Sequence, residues 1–428
     1  MYEMKDQIRL SIVVPVFNEQ EMIVHALEAL YHQYDDRALV DRDLYELVTV
    51  DNNSTDNSVA EIQDFHVRHP DFNLYCISET IQGVSSARKR GMDWVIQRSR
   101  QRDQHTLGSD KFYILSADAD CVVDKQWLYK LYSKMIEDDA DLGTCNYYYD
   151  KNHFHSRPNL WQQIEKTLRC RAFAFTLFGG FPDGKGFAVE REKYETVGGI
   201  EIFYQIKNGC FVQHLSDDWD FGIKIVASGG NNTYAHHAKV QINSRRVDLL
   251  LNEVIHGIAY GSGGTIVMKD VRTISDNNLQ DDLSDEQAAL AWDYSIKDFI
   301  PKNIILPLLL NQKLYNNENV IDFFDIDLLS NIVNRIEEIK AETGILNFKP
   351  IHLYKTPSYR LYFEFRDEIF ARLRQYIGKD IGYPPKLPDC LDDVLRSHPD
   401  AFNKYVYYYC EDRESGNAHN YFANGGVF

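Results

Sequence analysis

Asp118-Ala119-Asp120 sets two carboxylates two positions apart, directly behind the apolar run at residues 113–115. Such a pair at a strand end can share one hard divalent cation, magnesium or manganese, which prefers oxygen ligands and also takes substrate phosphates. A second acidic pair, Asp217-Asp218, opens a helical pattern. A carboxylate there serves either as a helix cap or as a base within reach of a substrate hydroxyl. Asp51 closes the short apolar run 47–50 and is followed by turn chemistry, Asn52-Asn53-Ser54-Thr55-Asp56. The loop 179–186 holds four glycines, which let a backbone approach a ligand closely. Asp183, Lys185 and Gly186 in that loop, with Asp217 and Trp219, are candidates for the acceptor side. Arg245 and Arg246 suit phosphate by bidentate bonding or form an exposed basic pair. The segment Gly261-Ser262-Gly263-Gly264 is either a phosphate cradle or a hinge.

These residues need a frame, and the first 150 residues supply one. Strand-like runs at 8–16, 47–50, 72–77 and 112–115 alternate with helical spacing at 21–34, 57–66, 85–97 and 127–135. That alternation predicts an α/β, mostly parallel sheet with helices on both faces. Ligands bind such sheets beyond the carboxyl ends of the strands. Here those ends carry Asn18-Glu19, Asp51-Asn52, Ser78-Glu79 and Asp118–Asp120, so polar groups collect on one rim. The middle of the chain predicts a strand at 144–149, a helix at 159–178 and a strand at 232–242. After residue 270 the texture changes to helical patterns at 286–299, 322–342 and 358–377, interrupted by a Pro-rich turn at 383–388. We expect a catalytic domain over 1–270 and a mainly helical accessory domain over 271–428. The accessory part would serve acceptor binding or self-association; the tyrosines at 405, 407, 408, 409 and 421 would stack on a sugar acceptor or form a helical core or an oligomer interface.

Composition narrows the function classes. The chain has 428 residues, 44% hydrophobic and 13% aromatic, enough apolar surface for a large core and too much for disorder. A net charge of −18 argues against general binding to nucleic acid or anionic membrane. The seven cysteines form no CxxC pair, which suits reduced thiols and a cytoplasmic location. No apolar run reaches the roughly 18 residues of a membrane span, and the N-terminus carries no signal-peptide pattern.

Six segments together resemble the family 2 glycosyltransferases. Residues 11–19, Ser-Ile-Val-Val-Pro-Val-Phe-Asn-Glu, are similar to that family's opening strand, and 51–56 to its second strand end. Gly83 through Ser86-Ala87-Arg88 to Gly91 resembles its G-x-x-x-A-R-N-x-G segment, with Lys89 in place of Asn. Asp118-Ala119-Asp120 resembles its DxD, Val197-Gly198-Gly199 its V-G-G segment, and Asp217-Asp218-Trp219-Asp220 its E-D-x-D, with Asp217 for Glu. The match runs over residues 8–245 in the expected order.

The resemblance implies a GT-A (Rossmann-like) fold, a nucleotide-sugar donor, most often a UDP-sugar, and inversion at the anomeric carbon. It also implies roles. Asp51 would bind the base, framed by the backbone near Pro15 and Phe17 and by Glu19. Gly83 and Arg88 would lie near the base or phosphates. Asp118, with Ala119, would hold the ribose or a metal water, Asp120 would ligate the metal, and Asp218 would be the catalytic base. Some relatives add a histidine ligand after that base. His236 and His237 are the candidates, a two-residue period would send them to opposite faces, and His237 is the one we expect at the metal.

The family's membrane-bound polymer synthases carry a Q-x-x-R-W segment and apolar helices, both missing from this sequence, so single sugar addition is expected. The acceptor stays open: a glycan, a lipid-linked saccharide, a protein or a small molecule. A nucleotidyltransferase would need a basic Gly-rich loop after the first strand, which 14–19 lacks. A catalytically silent scaffold would have little reason to keep Asp51, Asp118, Asp120 and Asp218 together.

Overall fold

A computed structural model describes residues 3–104, 111–202, 204–207, 210–213, 217–244, 247, 282–343 and 352–384. The chain divides into two compact units, 1–149 with 179–243, and 150–178 with 244–428.

The first unit is built on one eight-stranded sheet. Along the chain it has β1 (Leu10–Val16), α1 (Ile23–Tyr31), β2 (Tyr45–Asp51), α2 (Ser58–Arg68), β3 (Leu74–Ser78) and α3 (Val84–Asp103). There follow β4 (Tyr113–Ser116), β5 (Cys121–Val123), α4 (Trp127–Glu137) and β6 (Leu142–Tyr148). The helix α5 (Pro158–Phe178) belongs to the second unit. The first unit resumes with β7 (Phe187–Glu190), α6 (Arg191–Thr196), the hairpin β8 (Tyr204–Lys207) and β9 (Cys210–Gln213), α7 (Asp217–Ala227) and β10 (Asn232–Ile242).

The sheet order is β3-β2-β1-β4-β7-β6-β10-β5. The half built from β3, β2, β1 and β4 is parallel, as the alternation of strand and helix predicts. β7 then enters antiparallel between β4 and β6, and β5 pairs antiparallel with β10, so the sheet is mixed.

Alternation along each strand feeds two cores. Ile12, Val14 and Val16 pack with Leu27, Leu47, Phe65 and Leu131 on one face. Val13, Val48 and Val50 pack with Met92, Ile114, Val189 and Phe221 on the other. Fully burying one such side chain stabilises by about 1.5–3 kcal/mol. Gly91 shows how close the layers come, since a Cβ there would lie 2.4 Å from Val13 Cγ1.

α3 runs past its expected end because its late arginines are buried with partners. Arg98 Nη1 donates to Glu46 Oε1 at 2.8 Å and Oε2 at 2.7 Å, and Ser11 Oγ donates to Glu46 Oε1 at 2.7 Å. Arg98 also stacks over Trp94 and Tyr75, at 4.3 and 4.5 Å from the ring centres.

The second unit, beyond α5, contains α8 (Asp285–Ile300), a π turn (Pro301–Ile305), α9 (Leu306–Leu310), α10 (Glu318–Phe324), α11 (Ile326–Thr343) and α12 (His352–Tyr376), kinked at Phe365. Its apolar spine includes Ile300, Ile304, Leu308, Phe323, Ile332, Ile336 and Phe370. Among the described residues no helix is long and apolar enough to cross a membrane.

Candidate active site

The site grows from the carboxyl ends of β1, β2 and β4. After β1 the chain turns at Asn18, held at φ 52°, a value that Asn tolerates better than most residues. The Asn18 side chain accepts from Thr55 N at 2.7 Å, and Ser58 Oγ accepts from Glu19 N at 2.7 Å. These bonds tie the first rim loop to the second. Asp51, the last residue of β2, accepts from Ser54 N at 3.1 Å and is half-buried.

Asn52 then ties the second loop to the third. Its Nδ2 donates to Glu79 O and Ile81 O at 2.9 and 2.8 Å, and its Oδ1 accepts from Gly83 N at 2.7 Å. Gly83 sits at φ 144°, where a side chain is disfavoured. Pro15 and Phe17 flank this rim and are half-buried.

β4 delivers the acidic pair. Arg88, 2% exposed on α3, donates from Nη2 to Asp118 Oδ1 at 2.8 Å and from Nε to Ser116 Oγ at 3.2 Å. Ser116 in turn donates to Val13 O at 3.1 Å. Arg88 is therefore fixed to the sheet and positions Asp118. Asp120 is 6% exposed and Ala119 is buried. Asp118, Asp120 and Cys121 bring one possible ligand atom each within 4.8 Å of one another. The two carboxylates fit a hard divalent ion, manganese or magnesium, for which the neighbouring thiol is a poor ligand.

The glycine loop closes on this pair. A Cβ at Gly184 would lie 2.6 Å from Asp118 Oδ1 and 2.7 Å from Arg88 Nη2. On the far side, a Cβ at Gly186 would lie 2.6 Å from Cys145 Sγ, and the Gly186 carbonyl accepts from that thiol at 3.0 Å. Only glycine fits either place without displacing a neighbour. Asp183 Oδ1 accepts from Lys185 N at 3.2 Å, and its Oδ2 lies 3.9 Å from Lys185 Nζ. Lys185 Nζ also stands 5.0 Å over the Tyr147 ring. Burial works against charge on Lys185, yet Asp183, Tyr147, Tyr149 and Asp118 hold its pKa above the usual lysine range. Burial, joined by Tyr147, pushes Tyr149 up to about 12.

The same loop reaches α7. Gly222 packs against Pro182, and the Phe181 and Trp219 rings stand 5.4 Å apart. Asp218, at the start of α7, is half-buried, and its Oδ1 accepts from Trp219 N at 2.7 Å. Asp217 begins the helix. The loop 179–186 thus meets Asp118 at Gly184 and Trp219 at Phe181, with Asp218 preceding Trp219 in the chain.

The two histidines depart from the expected alternation. The pairing of β10 with β6 shifts register between Ala235 and Lys239. This bulge leaves both rings exposed, with centroids 3.6 Å apart, instead of on opposite faces. His237 lies outside the Asp118–Asp120–Cys121 group and lines an open cleft with Val123, Asp124, Lys125, Gln126, Lys130 and Lys239. Arg245, Arg246, the 261–264 loop and the tyrosines at 405–421 lie outside the described residues.

Asn52, Ser116, Cys121, Tyr147 and Gly184 were not assigned roles from the sequence. The position of Cys121 directly after the acidic pair was a usable signal, and so was the two-residue spacing of Tyr147 and Tyr149 on one face.

Residues 11–197 match the family model described as Glycosyl transferase family 2. Over that stretch the chain is similar to the family 2 glycosyltransferases. Its mixed sheet has the α/β character that the resemblance implied. Similar curated proteins include Glycosyltransferase GlyA of Streptococcus pneumoniae serotype 4, 24% identical over 140 residues, 33% of this chain and 17% of that one. Another is the poly(ribitol-phosphate) beta-glucosyltransferase of Bacillus spizizenii, 24% identical over 134 residues, 31% and 18% of the two chains. The aligned part thus spans under a fifth of either relative. Among solved structures, the mannosyltransferase PcManGT of Pyrobaculum calidifontis, with GDP-Man and Mn2+, is 16% identical with 86% of each chain covered and a TM-score of 0.40. S. aureus TarS 1-349 with UDP-GlcNAc is 12% identical, covering 98% of this chain and 92% of that one, also at 0.40.

Proposed function

We propose that this protein transfers a sugar, a hexose by analogy with the glucosyltransferase relative, from a UDP-sugar to an acceptor hydroxyl, with inversion and one sugar per encounter. The observation that carries the reading is the closure of the glycine loop onto the Arg88–Asp118 pair at the end of β4. That contact supports a reading in which the acidic pair, the Asp183–Lys185 loop and the Asp218 helix serve one site.

In this reading Asp51 takes the base, with Pro15, Phe17, Glu19 and Gly83 framing it. Asp118 and Asp120 hold a divalent cation, manganese or magnesium. That ion, when bound, neutralises the charge that develops on the diphosphate. Asp218 accepts the acceptor's proton as its oxygen attacks the anomeric carbon, a role worth about 10²–10⁴-fold. Trp219 and Asp217 lie on the acceptor side. The acceptor's identity and linkage belong to experiment, and so does self-association through the C-terminal unit. The thiols at 76, 121, 145 and 170 are in no disulfide among the described residues, which supports a reducing, cytoplasmic setting.

Asp218→Asn tests the assignment. Transfer should fall by about 10²–10⁴-fold while donor affinity holds. Full transfer in that variant removes Asp218 from the role of base.

A further inference from the structure

The loop that closes on the acidic pair carries a cation whose place the family resemblance does not explain. Lys185 stands between two glycines that have no room for a Cβ. Gly184 is pressed on Arg88 and Asp118, and Gly186 on Cys145 and Trp127. The backbone is pinned on both sides, and Asp118 is among the groups whose charge acts on the ammonium. Among the described residues its ion pair to Asp183 is loose at 3.9 Å, and its ring partner, Tyr147, is 5.0 Å away. Among the described residues neither contact is a hydrogen bond from Nζ, so its three N–H donors are available. The side chain keeps 30% of its surface exposed, enough for a ligand to meet its head. The other cation of the cluster differs. Arg88 is 2% exposed and already spent on Ser116 and Asp118.

We propose that Lys185 is a catalytic residue that hydrogen-bonds the leaving nucleoside diphosphate, acting on the donor side and not on the acceptor. The inference rests on the glycosyltransferase reading above. During transfer the bond from the anomeric carbon to the β-phosphate oxygen breaks, and its electron pair passes to that oxygen. The acceptor oxygen forms the new bond and its proton goes to Asp218. Lys185 keeps its own proton and donates a hydrogen bond to the oxygen that gains charge. A preorganised donor aimed at developing charge in a confined site is worth far more than the same contact in water. Asp183 then has a positioning role, holding the ammonium until phosphate displaces it.

The test measures binding of uridine and guanosine diphosphates, each against its monophosphate, with manganese, to wild type, Lys185→Gln and Lys185→Arg. Single-turnover transfer or donor hydrolysis is followed in parallel. The expected result is that Lys185→Gln loses about tenfold or more in diphosphate affinity, keeps its monophosphate affinity and slows turnover by about 10²-fold. Lys185→Arg should restore most of both, which also controls for folding. Equal loss of both nucleotides overturns the proposal, as does unchanged diphosphate affinity with a raised KM for acceptor. A wild type that binds neither diphosphate overturns the glycosyltransferase reading itself, a distinct outcome.

Discussion

Gly184 lies against both members of the Arg88–Asp118 ion pair, so the backbone of one loop and the carboxylate of another share one small space. The loop 179–186 is thereby a wall of the site. Gly184→Ala puts a methyl 2.6–2.7 Å from three charged side-chain atoms. Those atoms are the tips of side chains and can shift, so the stability cost should stay within about 1–3 kcal/mol. Asp118 would move with them. A displacement of an ångström at a reacting centre can cost about 10²-fold. We expect near-normal melting with turnover reduced at least tenfold, read by calorimetry and by donor hydrolysis.

Most of the parallel half of the sheet was legible in the sequence, because 8–16, 47–50 and 112–115 are apolar runs that end in polar turns. β7 and β5 were not. They are four and three residues long, and what makes them strands is pairing with β4, β6 and β10, not any local pattern. The end of α3 was misjudged because Arg98 and Arg102 look like a solvated face until Glu46 and Asp103 are seen beside them. The acidic pair was readable from its place after a strand. The histidine pair was not, since a bulge in β10 cancels the two-residue period on which that inference stood. Gly184 was seen as a permissive residue, and only its neighbours reveal that it is a required one.

The Arg98–Glu46 pair is fully buried between α3 and β2. Removing one partner strands a charge in the core. Arg98→Met alone should cost about 3–5 kcal/mol. Replacing both, as Glu46→Leu with Arg98→Met, should recover most of that loss, because a buried pair contributes little net stability over apolar packing. Urea denaturation of the two single variants and the double variant checks the coupling.

Asp103 joins the end of α3 to α6 through Arg191, at 2.6 Å, and also accepts from Arg102. Burial works against its charge, but the hydrogen bonds from Arg102 and Arg191 prevail and hold its pKa below the usual carboxylate range. A depressed folded pKa gives stability that is present above the unfolded value and is lost as pH falls through the folded one. Asp103→Asn should therefore weaken the protein at neutral pH and show a shallower loss between neutral pH and acid than wild type. Thermal midpoints across that range report it, and parallel curves for both proteins would contradict it.

The account stands or falls on whether the acidic rim holds a nucleoside diphosphate through a divalent ion. The direct measurement is calorimetric titration of UDP into wild type and Asp120→Asn, each with manganese and with chelator. We expect saturable binding to wild type only when manganese is present, and a loss of at least tenfold in Asp120→Asn. Equal binding with and without the metal, or no effect of Asp120→Asn, would contradict it.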